Sequence, residues 1–147
     1  MNNPVTKLWN NFPPAVWLMF AIDTVMGMTF SIALPYLALY LHDLRSISMS
    51  DVGILFLVSG FCTAGTNLLG GMLSDKFGRR RLFLTVSSVS VAFYALLAFL
   101  IGTNASLWLI FLIYVVTRSI YGTIGPTELA IIADVAPKDR LPETFAF

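Results

Sequence analysis

Three ionisable residues lie within long apolar stretches of the chain: Asp23, Arg118 and Glu128. A charge at the centre of a membrane helix costs about 2.5–3.5 kcal/mol on insertion scales, so each of these residues is a functional candidate by default. An acid and a base at that depth can pair, and protonation of the acid would then release the base. The chemistry that these residue types support is therefore the binding and release of protons inside a bilayer.

A second group of charges falls between two apolar stretches, in the sequence GMLSDKFGRRR from Gly71 to Arg81. We expect a short loop there, with a tight turn at Gly78. Asp75 can cap a neighbouring helix end, and the pair Arg79 and Arg80 can bridge carboxylates or phosphates. Alternatively, these arginines only fix the membrane topology and bind anionic lipid.

The sequence contains no combination of residues typical of an enzyme. There are no paired histidine ligands, no nucleophile with an adjacent base, and no phosphate-binding glycine loop after a strand. Cys62 is the single cysteine, which excludes an intramolecular disulfide. We therefore predict no catalytic residue, no metal and no cofactor.

The composition indicates an integral membrane protein. Hydrophobic residues make up 57% of the chain and charged residues only 12%, whereas soluble domains carry about 25% charged residues. Hydropathy predicts an all-α membrane protein with transmembrane helices over about 15–41, 52–73, 82–101 and 107–133. A fifth helix is expected to begin near residue 144.

The distribution of cations predicts the orientation in the membrane. Lys7, the four cations of the 74–81 segment, Lys138 and Arg140 fall on one side, and only Arg45 falls on the other. By the positive-inside rule, we expect the N-terminus in the cytoplasm of the plasma (inner) membrane. The chain shows no basic helix with interleaved aromatics, so nucleic acid is not an expected partner.

Asp23 and Arg118 are expected near the membrane midplane. Asp23 lies roughly 14 Å past Pro14 along a helix, and Arg118 lies roughly 16 Å past Leu107 from the opposite face. Transporters place substrate and ion sites at this depth. The two residues could form a proton-coupling pair, or equally a static ion pair that fixes the helix register.

The last predicted helix carries an acidic residue and a predicted interruption. Glu128 shares a helical stripe with Tyr121, and that stripe either lines a cavity or reaches the interface. Gly125 and Pro126 are expected to interrupt the helix.

The second helix is rich in small residues, which predicts close packing against its neighbours: Gly53, Gly60, Cys62, Ala64, Gly65, Gly70 and Gly71.

Three segments resemble the major facilitator superfamily of transporters. The residues Gly71, Leu73, Asp75, Phe77, Gly78, Arg79 and Arg80 resemble the loop between that family's second and third helices. Arg118 followed by Gly122 is similar to its fourth-helix motif, which is frequent in proton-coupled drug antiporters. The residues Ala133, Asp134, Pro137, Lys138, Asp139 and Arg140 resemble the loop before its fifth helix.

The resemblance implies a fold, a function and a set of partners. Residues 1–147 would form part of the N-terminal bundle of a transporter with about twelve helices. That transporter would move a small solute by alternating access, with proton-coupled efflux of drug-like compounds implied. Asp75 and Arg79 would latch the cytoplasmic gate, while Asp23, Arg118, Gly122 and Glu128 would serve coupling or substrate binding.

Because the sequence stops at Phe147, we expect transport to require the missing C-terminal helices or another chain. The expected partners are the lipid bilayer, a small-molecule substrate and protons. The alternative hypothesis is a non-transporting, truncated membrane fragment or an interaction module.

The predicted topology can be tested by thiol labelling in intact cells. A cysteine introduced at Lys76 should be protected from a membrane-impermeant reagent added outside, because guanidinium and ammonium groups keep this segment on the inner surface. A cysteine at Asn104 should be labelled from outside. Labelling of position 76 in sealed cells would contradict the topology.

Overall fold

The computed structural model describes residues 14–135, and all regular secondary structure in that range is helical. Helix α1 spans Pro14–Leu39 and continues into a π-helical turn, Tyr40–Leu44. The following helices are α2 (Met49–Phe77), α3 (Arg79–Gly102), α4 (Leu107–Gly122) and α5 (Ile124–Val135).

Four continuous segments are long and apolar enough to cross a membrane: Val16–Leu44, Met49–Phe77, Arg79–Gly102 and Leu107–Val135. The predicted all-α membrane fold is confirmed. The fifth helix predicted to begin near residue 144 lies outside the described residues.

The segment from Asp75 to Arg81 is helical, and the prediction of a loop there was wrong. Asp75 and Lys76 lie in the last turn of α2, and Arg79 begins α3. Only Gly78 leaves helical geometry, with φ at +87°, a value that residues with a Cβ rarely adopt. Charged side chains at a membrane surface can reach water from within a helix, so the charges did not require an extended loop.

The N-terminus of α2 also differs from the expected one. Ser48 is the N-cap: its Oγ accepts a hydrogen bond from the Asp51 backbone N–H at 3.1 Å. The same hydroxyl donates to the Asp51 carboxylate at 2.7 Å. This reciprocal arrangement begins the helix at Met49, before the predicted apolar start at Val52.

The described residues divide into two compact units, 14–37 with 131–135 and 38–130. In the first unit, α1 contains an internal proline, Pro35, which removes one backbone donor from the helix. Trp17 and Phe20 meet edge to face, with ring centroids 6.3 Å apart.

In the second unit, α2 and α3 both pack against α4. Two glycines lie where α2 closely approaches α4 and the residue that follows it. A Cβ added at Gly122 would lie 2.7 Å from the Thr63 carbonyl oxygen and would collide with Thr66 Oγ1. A Cβ added at Gly70 would lie 3.0 Å from the Thr123 carbonyl oxygen. Small residues thus let the two backbones approach, as is common between membrane helices.

The other glycines of α2 do not take part in this packing. Among the described residues, a Cβ at any of them would meet no atom within 4 Å: Gly53, Gly60, Gly65 and Gly71. Of the glycines in α2, only Gly70 therefore lies in close contact with another part of the described chain. The other four lie beside space that no described residue fills.

The predicted helix interruption near Gly125 and Pro126 occurs two residues earlier, at Thr123. Thr123 keeps near-helical angles, φ −75° and ψ −20°. Pro126 lacks the N–H that would bond to the Gly122 carbonyl in a continuous helix. Pro126 lies in the first turn of α5, where N–H groups have no intrahelical partner in any case.

Arg45 joins the two segments that were predicted to be external. Its Nη1 donates to the Tyr40 hydroxyl at 2.8 Å, and its Nη2 donates to the Ala105 carbonyl at 2.7 Å. The guanidinium carbon also lies 5.9 Å from the Tyr40 ring centroid. The turn after α1 and the turn before α4 are thereby held together.

Replacing Gly122 with alanine should destabilise the protein by about 1–3 kcal/mol, because the added methyl group forces α2 and α4 apart. Thermal or denaturant unfolding in detergent would measure this. Gly60→Ala is the matched control, since its new Cβ meets no described atom within 4 Å. Equal stability of the two variants would contradict the packing argument.

Candidate functional site

Apart from Asp23, the residues predicted to carry function fall into two groups in the second unit, one at the α2–α3 junction and one at the middle of the membrane helices. At the junction, Gly78 reverses the chain, and its N–H bonds to the Ser74 carbonyl at 3.1 Å. This tight connection places Asp75 at the end of α2 four residues before Arg79 at the start of α3.

Arg79 connects three helices at this junction. Its Nη2 lies 3.6 Å from Asp75 Oδ1, and its Nη1 donates to the Ala130 carbonyl of α5 at 3.0 Å. The Arg79 side chain is 36% exposed and that of Asp75 is 75% exposed. Such an accessible ion pair contributes little by itself, so the bond to Ala130 is the firmer part of this arrangement.

The remaining members of the predicted gate motif contribute less. Arg80 and Arg81 are exposed, and Gly71 is half-buried with open space beside its Cα. The structure therefore brings Asp75 and Arg79 together and leaves Arg80 at the surface. Ala130, the backbone partner of Arg79, could not be identified from the sequence, because its contribution is a carbonyl oxygen.

The second group surrounds Arg118, which is half-buried on α4. Its guanidinium carbon lies 5.8 Å from the ring centroid of Tyr121. The same guanidinium acts electrostatically on the phenol groups of Tyr94 and Tyr114. Aromatic faces attract a cation, and this attraction is stronger away from water.

Hydrogen bonding and packing hold the backbone of this group in place. Thr63 Oγ1 of α2 donates to the Arg118 carbonyl oxygen at 3.2 Å. One turn earlier on α4, the Tyr114 ring meets the Phe56 ring with centroids 5.8 Å apart. Arg118 therefore projects from a helix that α2 contacts both at Arg118 and one turn before it.

The structure also locates the other predicted site residues. Gly122 lies at the crossing of α2 and α4, where it serves close packing. Glu128 on α5 is buried, with 7% of its surface exposed. Asp23 lies on α1 in the first unit with an exposed side chain, so its pairing with Arg118 stays a prediction.

Tyr94 and Tyr114 were not identified from the sequence. Tyr114 precedes Arg118 by four residues, a spacing that places the two side chains on one helix face, and this signal was available. Tyr94 lies on another helix, and no periodic pattern indicates which side chain of α3 meets α4.

The four long apolar segments are those of an integral membrane protein. A sequence profile described as Major Facilitator Superfamily matches residues 16–147. The chain belongs to the major facilitator superfamily. No solved structure matches it significantly.

Two relatives in Bacillus subtilis (strain 168) are described as uncharacterized MFS-type transporters. The chain is 28% identical to YqjV over 92% of its own length and 32% of that protein, and 25% identical to YhjO over 93% and 33%. It is also 28% identical to a Na(+), Li(+), K(+)/H(+) antiporter of Planococcus maritimus, over 82% of the chain and 28% of that protein. The chain thus spans about a third of the length of these relatives.

Substituting Arg79 with alanine should lower the free energy of unfolding by about 1–2 kcal/mol, because the bond to Ala130 and the pair with Asp75 are both lost. Arg79→Lys should restore only part of this, since an ammonium group cannot form both contacts with the planar fork of arginine. Denaturant unfolding in detergent would measure the differences.

The matched control is Arg80→Ala, which removes an exposed neighbouring guanidinium and should change stability by less than about 0.5 kcal/mol. If Arg79→Ala and Arg80→Ala lower the free energy of unfolding by the same small amount, then Arg79 does not connect the three helices in solution.

Proposed function

We propose that this chain supplies N-terminal helices of a secondary transporter that exchanges a small solute for protons by alternating access. The observation that carries the proposal is the Arg118 guanidinium, which lies near the middle of the apolar segment Leu107–Val135 and interacts with three tyrosines. A cation held at that depth is costly, and such residues mark substrate or ion pathways in membrane proteins.

Proton coupling would use Asp23 together with Arg118. Both residues lie at midplane depth by their positions in the sequence, where transporters bind substrates and coupling ions. Ionised Asp23 would pair with Arg118, and protonation would release the guanidinium to the substrate or to a new partner. The name of the Planococcus maritimus relative, a Na(+), Li(+), K(+)/H(+) antiporter, supports proton coupling.

Two substrate classes compete. The Arg118 and Gly122 motif resembles that of drug antiporters, which favours efflux of drug-like, amphipathic compounds. The name of the Planococcus maritimus relative favours Na⁺, Li⁺ or K⁺. We propose drug-like compounds first, and the assay below separates the two classes.

The α2–α3 junction would act at the cytoplasmic gate. Arg79 already bonds to α5 and lies beside Asp75, so a small movement of α5 would break or remake these contacts. Interfaces of this kind switch between discrete arrangements because packed helices do not deform continuously. The transport pathway itself would need further helices beyond those of this chain.

Replacing Asp23 with asparagine in the complete transporter should abolish proton-coupled exchange while leaving the protein folded, because the amide cannot take up and release a proton. Proteoliposomes with an internal pH-sensitive dye would report proton movement after addition of a lipophilic cation, or of Na⁺, Li⁺ or K⁺ in a separate arm.

The control is Asp43→Asn, which makes the same change at an exposed position in the turn after α1. Unchanged proton coupling in Asp23→Asn would contradict the coupling role of Asp23. A response to alkali cations alone would overturn the drug-like substrate class.

A further inference from the structure

The Tyr94 hydroxyl is buried, and its O–H has no hydrogen-bond acceptor among residues 14–135. The Arg118 guanidinium interacts with this hydroxyl, but it can only donate to the oxygen. Leaving a buried donor unbonded costs about 1–3 kcal/mol, so proteins rarely keep one without a use. The unused O–H donor of Tyr94 therefore points to an acceptor that the described helices do not supply.

The Tyr94 hydroxyl and the Arg118 guanidinium lie at similar depths along their helices. Tyr94 lies roughly 12 Å from the outer end of α3, and Arg118 lies roughly 16 Å from the start of α4, by the rise of an α-helix. Side chains on a helix lean towards its N-terminus, so the Tyr94 phenol extends deeper, towards the level of Arg118. Among charged groups, the Arg118 guanidinium acts most strongly on this phenol.

The two groups share one chemical preference. A guanidinium has only N–H donors, and the Tyr94 O–H is a donor without an acceptor. The other titratable groups that act on Tyr94 are Tyr121 and Tyr114, which are neutral phenols. Two donors, one of them cationic, that converge in an apolar surrounding bind an anion with acceptor oxygens, and a carboxylate has that geometry.

We propose that Tyr94 is a positioning residue that donates a hydrogen bond to the carboxylate that pairs with Arg118. This inference rests on the proposed function, since Arg118 is the coupling cation there, and it adds a residue from α3 to the coupling site. The carboxylate is either a side chain of the complete protein, such as Asp23, or an acidic group on the substrate. The hydrogen bond would favour the ionised carboxylate and so delay its protonation as the pH falls.

The test compares Tyr94→Phe with the wild type in the complete transporter, using thermal unfolding in detergent between pH 4.5 and 8. A carboxylate with a lowered pKa stabilises the folded state at high pH and loses that contribution as pH falls through its folded-state pKa. Tyr94→Phe should move the midpoint of this loss upward by roughly one pH unit, which corresponds to one hydrogen bond to a charged group. The pH dependence of transport in proteoliposomes should shift in the same direction.

The matched control is Tyr114→Phe. Tyr114 also touches the Arg118 group, but its hydroxyl lies beside the Ser59 hydroxyl of α2. Its removal should lower the melting temperature without moving the pH midpoint. Tyr94→Phe should lower the melting temperature at pH 8, where the ionised carboxylate loses a hydrogen bond, and the difference from the wild type should shrink once the carboxylate is protonated at low pH.

Measuring the effect of Tyr94→Phe in a protein that also carries Asp23→Asn identifies the carboxylate. If Tyr94→Phe no longer shifts the midpoint there, the acceptor is Asp23. If the shift persists, the acceptor is another carboxylate of the protein. If unfolding is unaffected but KM for an acidic substrate rises at least several-fold, the acceptor belongs to the substrate.

The inference is overturned if Tyr94→Phe matches the wild type in the unfolding midpoint, the transport pH profile and KM. A wild type that shows no proton-coupled transport refutes the proposed function separately. In that case, a shifted unfolding midpoint in Tyr94→Phe still supports the carboxylate site, and an unshifted one overturns it.

Discussion

The organisation of this chain depends on the absence of hydrogen-bond partners in hydrocarbon. Each unpaired backbone group in lipid costs several kcal/mol, so the spanning segments are helical along their length. The same constraint confines most charges to helix ends, where Arg45 and Arg79 find carbonyl acceptors. Arg118 cannot reach an end, and three tyrosines surround it instead. The lack of hydrogen-bond partners in lipid therefore explains both the helical architecture and the positions of the charges.

The residues that pack α2 against α4 also hold the backbone of Arg118. Lipid provides no hydrophobic drive for helices to associate, so close backbone contact must hold them together. That contact occurs where Gly122 meets Thr63 and Thr66. Thr63 also donates to the Arg118 carbonyl oxygen. The glycine in the motif that follows Arg118 thus fixes the height and rotation of the helix turn from which the guanidinium projects.

Much of the fold was predictable because membrane burial leaves a strong signal in composition and hydropathy. The meeting of Asp75 with Arg79 was also predictable, since four residues separate them. The local structure between them was not, because charged side chains suit a loop and a helix end equally, and only the φ of Gly78 decides. Tyr94 could not be found, because its approach to Arg118 depends on how α3 packs against α4. The depth of Asp23 follows from counting residues, but its partner depends on tertiary arrangement.

Three arginines of the second unit, Arg45, Arg79 and Arg118, differ in the hydrogen bonds that their neighbouring groups still lack. Arg45 lies among acceptors that are already bonded, since the Tyr40 hydroxyl and the Ala105 carbonyl both receive its N–H groups. Arg79 likewise bonds to the Ala130 carbonyl. A new ligand at either place would have to displace an existing hydrogen bond and would gain little net free energy. Beside Arg118, the Tyr94 O–H has no acceptor in the described helices, so the carboxylate proposed above would satisfy this donor. In that respect, the proposed site differs from the surroundings of Arg45 and Arg79.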